Sequence, residues 1–393
     1  MDIDRPTALL GGLSPAQFMR RHWQKKPLLI RGAVDAPTLG RLPGREALWS
    51  LAQQEDAASR LIVRGRGGWQ VTPGPLRRLP SPRGRQRWTV LVQGVNLHDA
   101  ATAALMRRFR FIPDARLDDV MMSYASDGGG VGAHADSYDV FLLQTHGVRR
   151  WRIAPLRSAR DRELVPGAPL KLLRHFAPAQ QWNLQPGDML YLPPGWGHDG
   201  VAQGECITLS VGFRAPSRGE LLARVLERMA DAVRDDPRHA QLYRDPRQPA
   251  TSAPHRLPEA LLRFVREAWP QRIDARMVEA ALGEYLSEPK PQVWFDAPPR
   301  AGWRQALTRG LRLADKSQML CGARRCYVNG EGIEPATAAE RRWWQAFART
   351  RGASAAQLAV APPAVQRRLR EWLQCGWVEC AAGRREGAGD ERE

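Results

Sequence analysis

From Trp69 to Phe213 the chain repeats one pattern: short apolar runs (WTVLVQGV, YDVFLLQ, VRRWRIA, DMLYLPPG, CITLSVGF) broken by glycine and proline. Runs of this length are too short for helices, and their spacing predicts short strands joined by turns, hence an antiparallel sandwich or barrel. Ahead of it, Ser14-Pro15 is a helix-start pair, followed by AQFMRRHWQ and the strand-like Pro27-Leu28-Leu29-Ile30. The pattern changes at Ala215-Pro216. Ser217 and Glu220 form a capping box ahead of LLARVLERMADAVRDD, and two more stretches of helical spacing, LPEALLRFVREAW and DARMVEAALGEYL, carry the chain to about residue 290. A proline-rich break follows, then helices around a hairpin-like QMLCGARRCYVNGEGIE and a final AAQLAVAPPAVQRRLREWLQ with GWVEC. Helix, turn, helix, strand is the order of a winged helix.

With 393 residues there is enough chain for two or three domains and a sizeable core. Charge is lopsided: 59 basic residues face 41 acidic ones, and only five of the basic residues are lysine. A guanidinium-rich surface favours anionic neighbours such as RNA and ribosomes. No apolar run approaches the roughly eighteen residues of a membrane span, and MDIDRPTALLGGL lacks the basic start and long apolar segment of an export signal, so a cytoplasmic protein without a membrane partner is expected. Five cysteines (Cys206, Cys321, Cys326, Cys375, Cys380) are too sparse for a disulfide framework, and reduced thiols are the expectation. The pairs Cys321/Cys326 and Cys375/Cys380 have spacing compatible with zinc, but buried thiols in a small sheet fit their apolar neighbours better.

The chemistry concentrates around Gly132-Ala133-His134-Ala135-Asp136, just before the most strand-like run. In an extended segment residues two apart face one side, which groups His134, Asp136 and Tyr138. His198 follows GDMLYLPPGWG, a strand running into a Pro-Pro-Gly turn able to return it toward that group. Two imidazoles and one carboxylate at one point hold non-haem Fe(II) and leave positions open for a 2-oxo acid and dioxygen. A His-x-Asp pair alone is a weak signal; two histidines in one β-region beside glycine-rich turns are a stronger one. On VRRWRI, Arg149 shares its parity with Trp151 and Ile153. If that is the barrel interior, the guanidinium is inward and needs an anion, which the distal carboxylate of 2-oxoglutarate would supply; a strand exposing both faces is the plainer alternative. Gly128 to Gly132 lack the Lys-Ser/Thr of a phosphate loop and read as a bend into the metal strand.

The stretches GGGVGAHADSYDVFLLQTHGVRRWRI, LQPGDMLYLPPGWGHDGVA, ATAALMRRFRFIPDARLDDVMMSYA and SVGFRAP resemble the JmjC-type branch of the cupin oxygenases, and more narrowly the bacterial ribosomal oxygenases. The resemblance implies a mainly β plus α chain: a double-stranded β-helix barrel (residues 1–216), a helical dimerisation segment (217–290), a C-terminal winged helix (291–384) and a disordered tail (385–393). It implies Fe(II) held by His134, Asp136 and His198, with no catalytic side chain beyond the metal centre. 2-Oxoglutarate would be held by Arg149 and Ser123, with O2 as the other cosubstrate. For the substrate it implies Asp119 and Tyr138, with Ser210 as a further polar candidate; Asp118 adjoins Asp119, and the choice between them stays open. The chain departs from the family pattern at Thr208 and at Ser126-Asp127. The implied reaction is hydroxylation of an arginine β-carbon in a large-subunit ribosomal protein, the sixteenth of the bacterial large subunit, by a homodimer; the basic exterior, from its charge alone, is expected to meet ribosomal RNA. Two rivals stand beside it: a related oxygenase acting on histidine or another residue, and a non-catalytic ribosome- or RNA-binding factor with a relict barrel. Whether the winged helix meets nucleic acid or protein is open at this stage.

Overall fold

A computed structural model describes residues 2–81, 84, 86–244, 246, 256–268, 274–296 and 302–381. The expected tail at 385–393 lies outside the described residues. Ten strands build the first half: β1 (Leu28–Ile30), β2 (Ser59–Gly65), β3 (Gly68–Pro73), β4 (Arg87–Val92), β5 (Leu117–Ala125), β6 (His134–Ala135), β7 (Val140–Pro155), β8 (Gln180–Leu184), β9 (Met189–Leu192) and β10 (Trp196–Phe213). They join in the order β1-β9-β7-β10-β5-β4-β2-β3, with β6 added to β10 and β8 to β7. Every pairing is antiparallel, as the punctuated apolar runs indicated.

The period-two side-chain rule divides the long strands between two cores. Val140, Leu142, Trp151, Ile153, Leu184, Leu190 and Leu192 fill the barrel interior. The alternate residues Val120, Met122, Phe141, Leu209, Val211 and Phe213 face outward and pack under the N-terminal helices. There the helix Pro15–Arg21 opens with a complete capping box between Ser14 and Gln17, and its Phe18 lies edge-on to Tyr191 at 4.9 Å. Phe18 is fully buried, so truncation to alanine costs about 3–5 kcal/mol.

After the barrel come the helices Arg218–Asp235, Glu259–Ala268 and Ala275–Ser287, at the positions that helical spacing indicated. The last third sets the helices Trp303–Arg309, Ala338–Thr350, Ala355–Ala359 and Pro363–Gln374 against two small three-stranded sheets, around a core that includes Trp344, Phe347, Val365, Leu369 and Trp372. It docks on the barrel through Arg107 Nη1 on Asp315 at 2.5 Å and through Arg110, which donates to the carbonyls of Ala348 and Arg349. One expectation fails here. Cys321 and Cys326 face each other in the register of neighbouring strands and form a disulfide, so they are neither reduced nor free to bind zinc; Cys206, Cys375 and Cys380 are thiols. Among the described residues no helix is long and apolar enough to cross a membrane.

Candidate metal centre

The two histidines meet because β6 pairs with β10 and the register places His134 directly opposite His198. Their rings lie 4.2 Å apart between centroids. Asp136 Oδ2 is 3.6 Å from His198 Nε2, and one donor atom from each of the three residues lies within 4.8 Å of the others. Glycine makes this approach feasible: a Cβ on Gly130 would sit 2.5 Å from the Gly200 carbonyl oxygen, and Gly132 has a φ of +78°. The run of glycines is therefore a bend into the metal strand, as its sequence suggested.

Each imidazole is oriented by a backbone carbonyl. Nδ1 of His134 lies 2.9 Å from the Gly132 oxygen, and Nδ1 of His198 lies 3.1 Å from the Trp196 oxygen. A carbonyl only accepts, so both Nδ1 atoms carry the proton and both Nε2 lone pairs are left for a metal. Burial, followed by the neighbouring His134, holds His198 well below the ordinary histidine range, so it is neutral near pH 7. This donor set fits a ferrous ion: two neutral nitrogens and one carboxylate on one side, with the other side facing the barrel cavity.

The parity argument for Arg149 holds. It pairs with Ala202, two places from the Trp151–Gly200 pair and four from Ile153–His198, and it is 5% exposed inside the barrel. Its Nη1 donates to Ser123 Oγ at 3.3 Å and its Nε to Cys206 Sγ at 3.4 Å, while Nη2 has no partner. A buried guanidinium with only weak neutral partners and one orphaned amino group is the environment that a ligand carboxylate completes. Gly200 leaves room for the indole of Trp151, whose ring stands 5.9 Å from that of His198 and walls the space between them.

Three residues near the mouth complete the set. Asp119 and Ser123 lie on β5, Asp119 buried and Asp118 half-buried, and Asp118 lies 3.6 Å from Arg214. Ser210 is inward on β10, across from Met121. Tyr138 does not continue an extended segment: β6 ends at Ala135, the chain bends, and Tyr138 emerges at the rim, half-exposed. Partial burial and then the carboxylates of Asp136, Asp119 and Asp118 push its phenol above the usual range. At the two departures from the family pattern, Thr208 donates to Gln144 Oε1 at 2.8 Å and Ser126 Oγ accepts from the Trp88 amide at 3.0 Å, so both are internally satisfied.

Sequence reasoning missed the residue that anchors the metal strand. Asp139 is fully buried and accepts from the Tyr191 hydroxyl at 2.6 Å and from Gln24 Nε2 at 3.1 Å, with Arg116 at 3.5 Å. A carboxylate next to the apolar run VFLL, on the outward parity, was the available signal. Lys290 was missed as well: its ammonium contacts Asp118 at 3.0 Å and Asp119 at 2.9 Å.

Residues 104–221 match the JmjC domain family, and residues 271–379 match the ROXA-like winged helix. The chain is 34% identical over 330 residues to ribosomal protein uL16 3-hydroxylase of Escherichia coli strain K12, an alignment covering 81% of this chain and 84% of that protein. It is 35% identical over 212 residues to a probable ribosomal oxygenase of Haemophilus influenzae, with 53% and 52% covered. Among solved structures, the X-ray structure of E. coli YcfD superposes with a TM-score of 0.77 at 30% identity, covering 93% of this chain and 98% of that one. YcfD in complex with cobalt and 2-oxoglutarate superposes with a TM-score of 0.70 at the same identity, over 93% and 97% of the two chains. Likeness at this level across both halves shows that the chain belongs to the JmjC-type ribosomal oxygenases.

Proposed function

We propose that this chain is an Fe(II)- and 2-oxoglutarate-dependent dioxygenase that hydroxylates the β-carbon of an arginine in ribosomal protein uL16. The observation that carries the reading is the convergence of His134, Asp136 and His198 beside a buried Arg149 whose Nη2 lacks a partner. In this reading the three converging side chains hold the ferrous ion through the two Nε2 atoms and the Asp136 carboxylate. Arg149 and the Ser123 hydroxyl hold the far carboxylate of 2-oxoglutarate, and Trp151 excludes water from the space between. When bound, these groups supply the oxidising power: O2 delivers one oxygen atom to 2-oxoglutarate, which leaves as succinate and CO2, and the other to the substrate C–H as hydroxyl. The chain contributes placement rather than acid–base work. Asp119 meets the substrate guanidinium through a charge-assisted hydrogen bond, with Tyr138 and Ser210 beside it.

The division at residues 216 and 290 into barrel, dimerisation helices and winged helix belongs to the same proposal, as do action in the cytoplasm and contact of the basic exterior with ribosomal RNA. Leu222, Leu226 and Val233 leave an exposed apolar stripe on the helix Arg218–Asp235, which supports pairing of two copies. The test is mass spectrometry of ribosomal proteins from cells with and without the chain, or with His134→Ala. A single uL16 arginine heavier by one oxygen only when the intact chain is present supports the reading; identical spectra reject it. Iron analysis of the purified protein separates it from a relict barrel, which would not retain stoichiometric metal.

A further inference from the structure

Lys290 belongs to the link between the helix Ala275–Ser287 and the C-terminal sheets, 171 positions from Asp119. Its Nζ is 2.9 Å from Asp119 Oδ2 and 3.0 Å from Asp118 Oδ1. The same Asp119 Oδ2 accepts the backbone N–H of Gly94 at 3.1 Å. Both of these hydrogen bonds fall on Oδ2. Oδ1 has none among the described residues and lies beside β10, where a Cβ on Gly212 would be 3.8 Å from it. Lys290 and Asp119 both line a cleft with Asp56, Gln93, Gly94, His98 and Lys316, which contains none of the metal cluster, and Lys290 reaches Oδ2 from that side.

We propose that Lys290 is a positioning residue: with the Gly94 amide it clamps Asp119 Oδ2, so that Oδ1 is the oxygen presented to the cationic side chain of the substrate. The inference rests on Asp119 being the substrate acid in the proposed function. Two effects of removing Lys290 oppose each other. Loss of a nearby positive charge strengthens the pull of Asp119 on a guanidinium, but the ammonium is about one-third exposed and its field is screened. Against this, Asp119 is left beside the like charge of Asp118 with one amide to hold it, and a misplaced anchor lowers reaction rates steeply. Orientation wins, and a segment from the C-terminal half thereby sets the geometry of the barrel mouth.

The test uses the full-length iron-loaded protein and a synthetic peptide spanning the modified arginine, following both hydroxylated peptide and succinate. Lys290→Met is expected to raise KM for the peptide about fivefold or more and to raise the ratio of succinate to hydroxylated peptide, beyond the small fall in melting temperature that loss of the ion pair brings. Lys290→Arg, whose fork can span the same two carboxylates, is expected to restore most of both. A KM that is unchanged or lower in Lys290→Met overturns the proposal, since a lower value would make Lys290 a competitor for the acid. So does a fall in melting temperature and kcat without a change in KM, the mark of a structural tie. Asp119→Asn is run in parallel: an unchanged KM there, with active wild type, removes the acid on which the proposal stands. Wild type that produces no hydroxyarginine refutes the function itself.

Discussion

Replacing Arg149 by methionine separates stability from cosubstrate binding and should move them in opposite directions. In the ligand-free protein the guanidinium sits in the barrel with a hydroxyl at 3.3 Å, a thiol at 3.4 Å and an unpartnered Nη2. A buried charge so poorly compensated costs stability; an apolar side chain of similar length, lying against Trp151 and Cys206, removes that cost and keeps the packing. Relief of about 1–3 kcal/mol is expected, and in a domain of this size each kcal/mol shifts the melting temperature by roughly 2–4 °C, so Arg149→Met should melt a few degrees higher without ligand. Binding changes the other way. Two charge-assisted hydrogen bonds to the distal carboxylate, at about 1.5–3 kcal/mol each with part recovered from water, amount to a loss of about 3–4 kcal/mol, or roughly 10²- to 10³-fold in the Kd of 2-oxoglutarate. Differential scanning fluorimetry gives the first quantity. Titration calorimetry of 2-oxoglutarate into protein loaded with a redox-inert divalent metal gives the second without requiring turnover. A melting temperature several degrees lower in Arg149→Met would show that the guanidinium is a structural contributor whose partners suffice, and the argument from its orphaned nitrogen would be wrong.

Three further outcomes follow from the same geometry. His198→Ala and His134→Ala should each abolish iron retention and 2-oxoglutarate turnover while circular dichroism still reports the barrel; retained stoichiometric iron in both would dissolve the triad. Burial and the neighbouring His134 hold folded His198 below the 6.5 of an unfolded imidazole, so the unfolded chain takes its proton first: the contribution of His198 to the stability of the metal-free protein is full above about pH 7 and is lost as pH falls below 6.5. Urea midpoints at pH 7.5 and 5 measure this, and His198→Gln should flatten the slope. Gly130→Ala would put a methyl group 2.5 Å from the Gly200 carbonyl, between the bend and strand β10, so about 1–3 kcal/mol of stability and part of the metal affinity should be lost together; a wild-type melting curve would show that the bend is not set by that contact.

What could be read from the sequence was whatever has a local period. Arg149, Trp151 and Ile153 announce the barrel interior through alternation alone, and the glycines around His134 announce a close approach of backbones. The same rule weakened at Tyr138: strand pairing ends at Ala135, parity still carried Asp136 one residue further, and the bend that follows brings Tyr138 to the rim. It also could not choose between Asp118 and Asp119, because the β5 register with β10 is irregular just there. The disulfide depended on a register between two three-residue strands, which no count of cysteines contains.

Lys290 illustrates a different limit. It lies in a proline-flanked link with no helical or strand period, and its two partners are in the other half of the chain. Contacts of that kind are set by how one folded unit docks on another, so residue spacing carries no trace of them. Chemistry does carry one: a +18 chain has cations to spare, yet only five are lysines, and a lysine directed at a pair of adjacent carboxylates is costly to bury and gains only from those carboxylates. In the proposed function the donors for metal and the guanidinium for a ligand carboxylate lie on or beside the barrel's own strands, while the acid for the substrate is held from outside. Binding of cosubstrate should therefore tolerate changes at the docking contacts Arg107 and Asp315, while peptide KM should not. Arg107→Ala, which breaks the 2.5 Å pair, is expected to raise peptide KM several-fold and leave the Kd of 2-oxoglutarate within twofold, a split that calorimetry and peptide kinetics read directly. Equal losses in both would mean that the two halves fold as one cooperative site, and the separation argued from residue placement would fall.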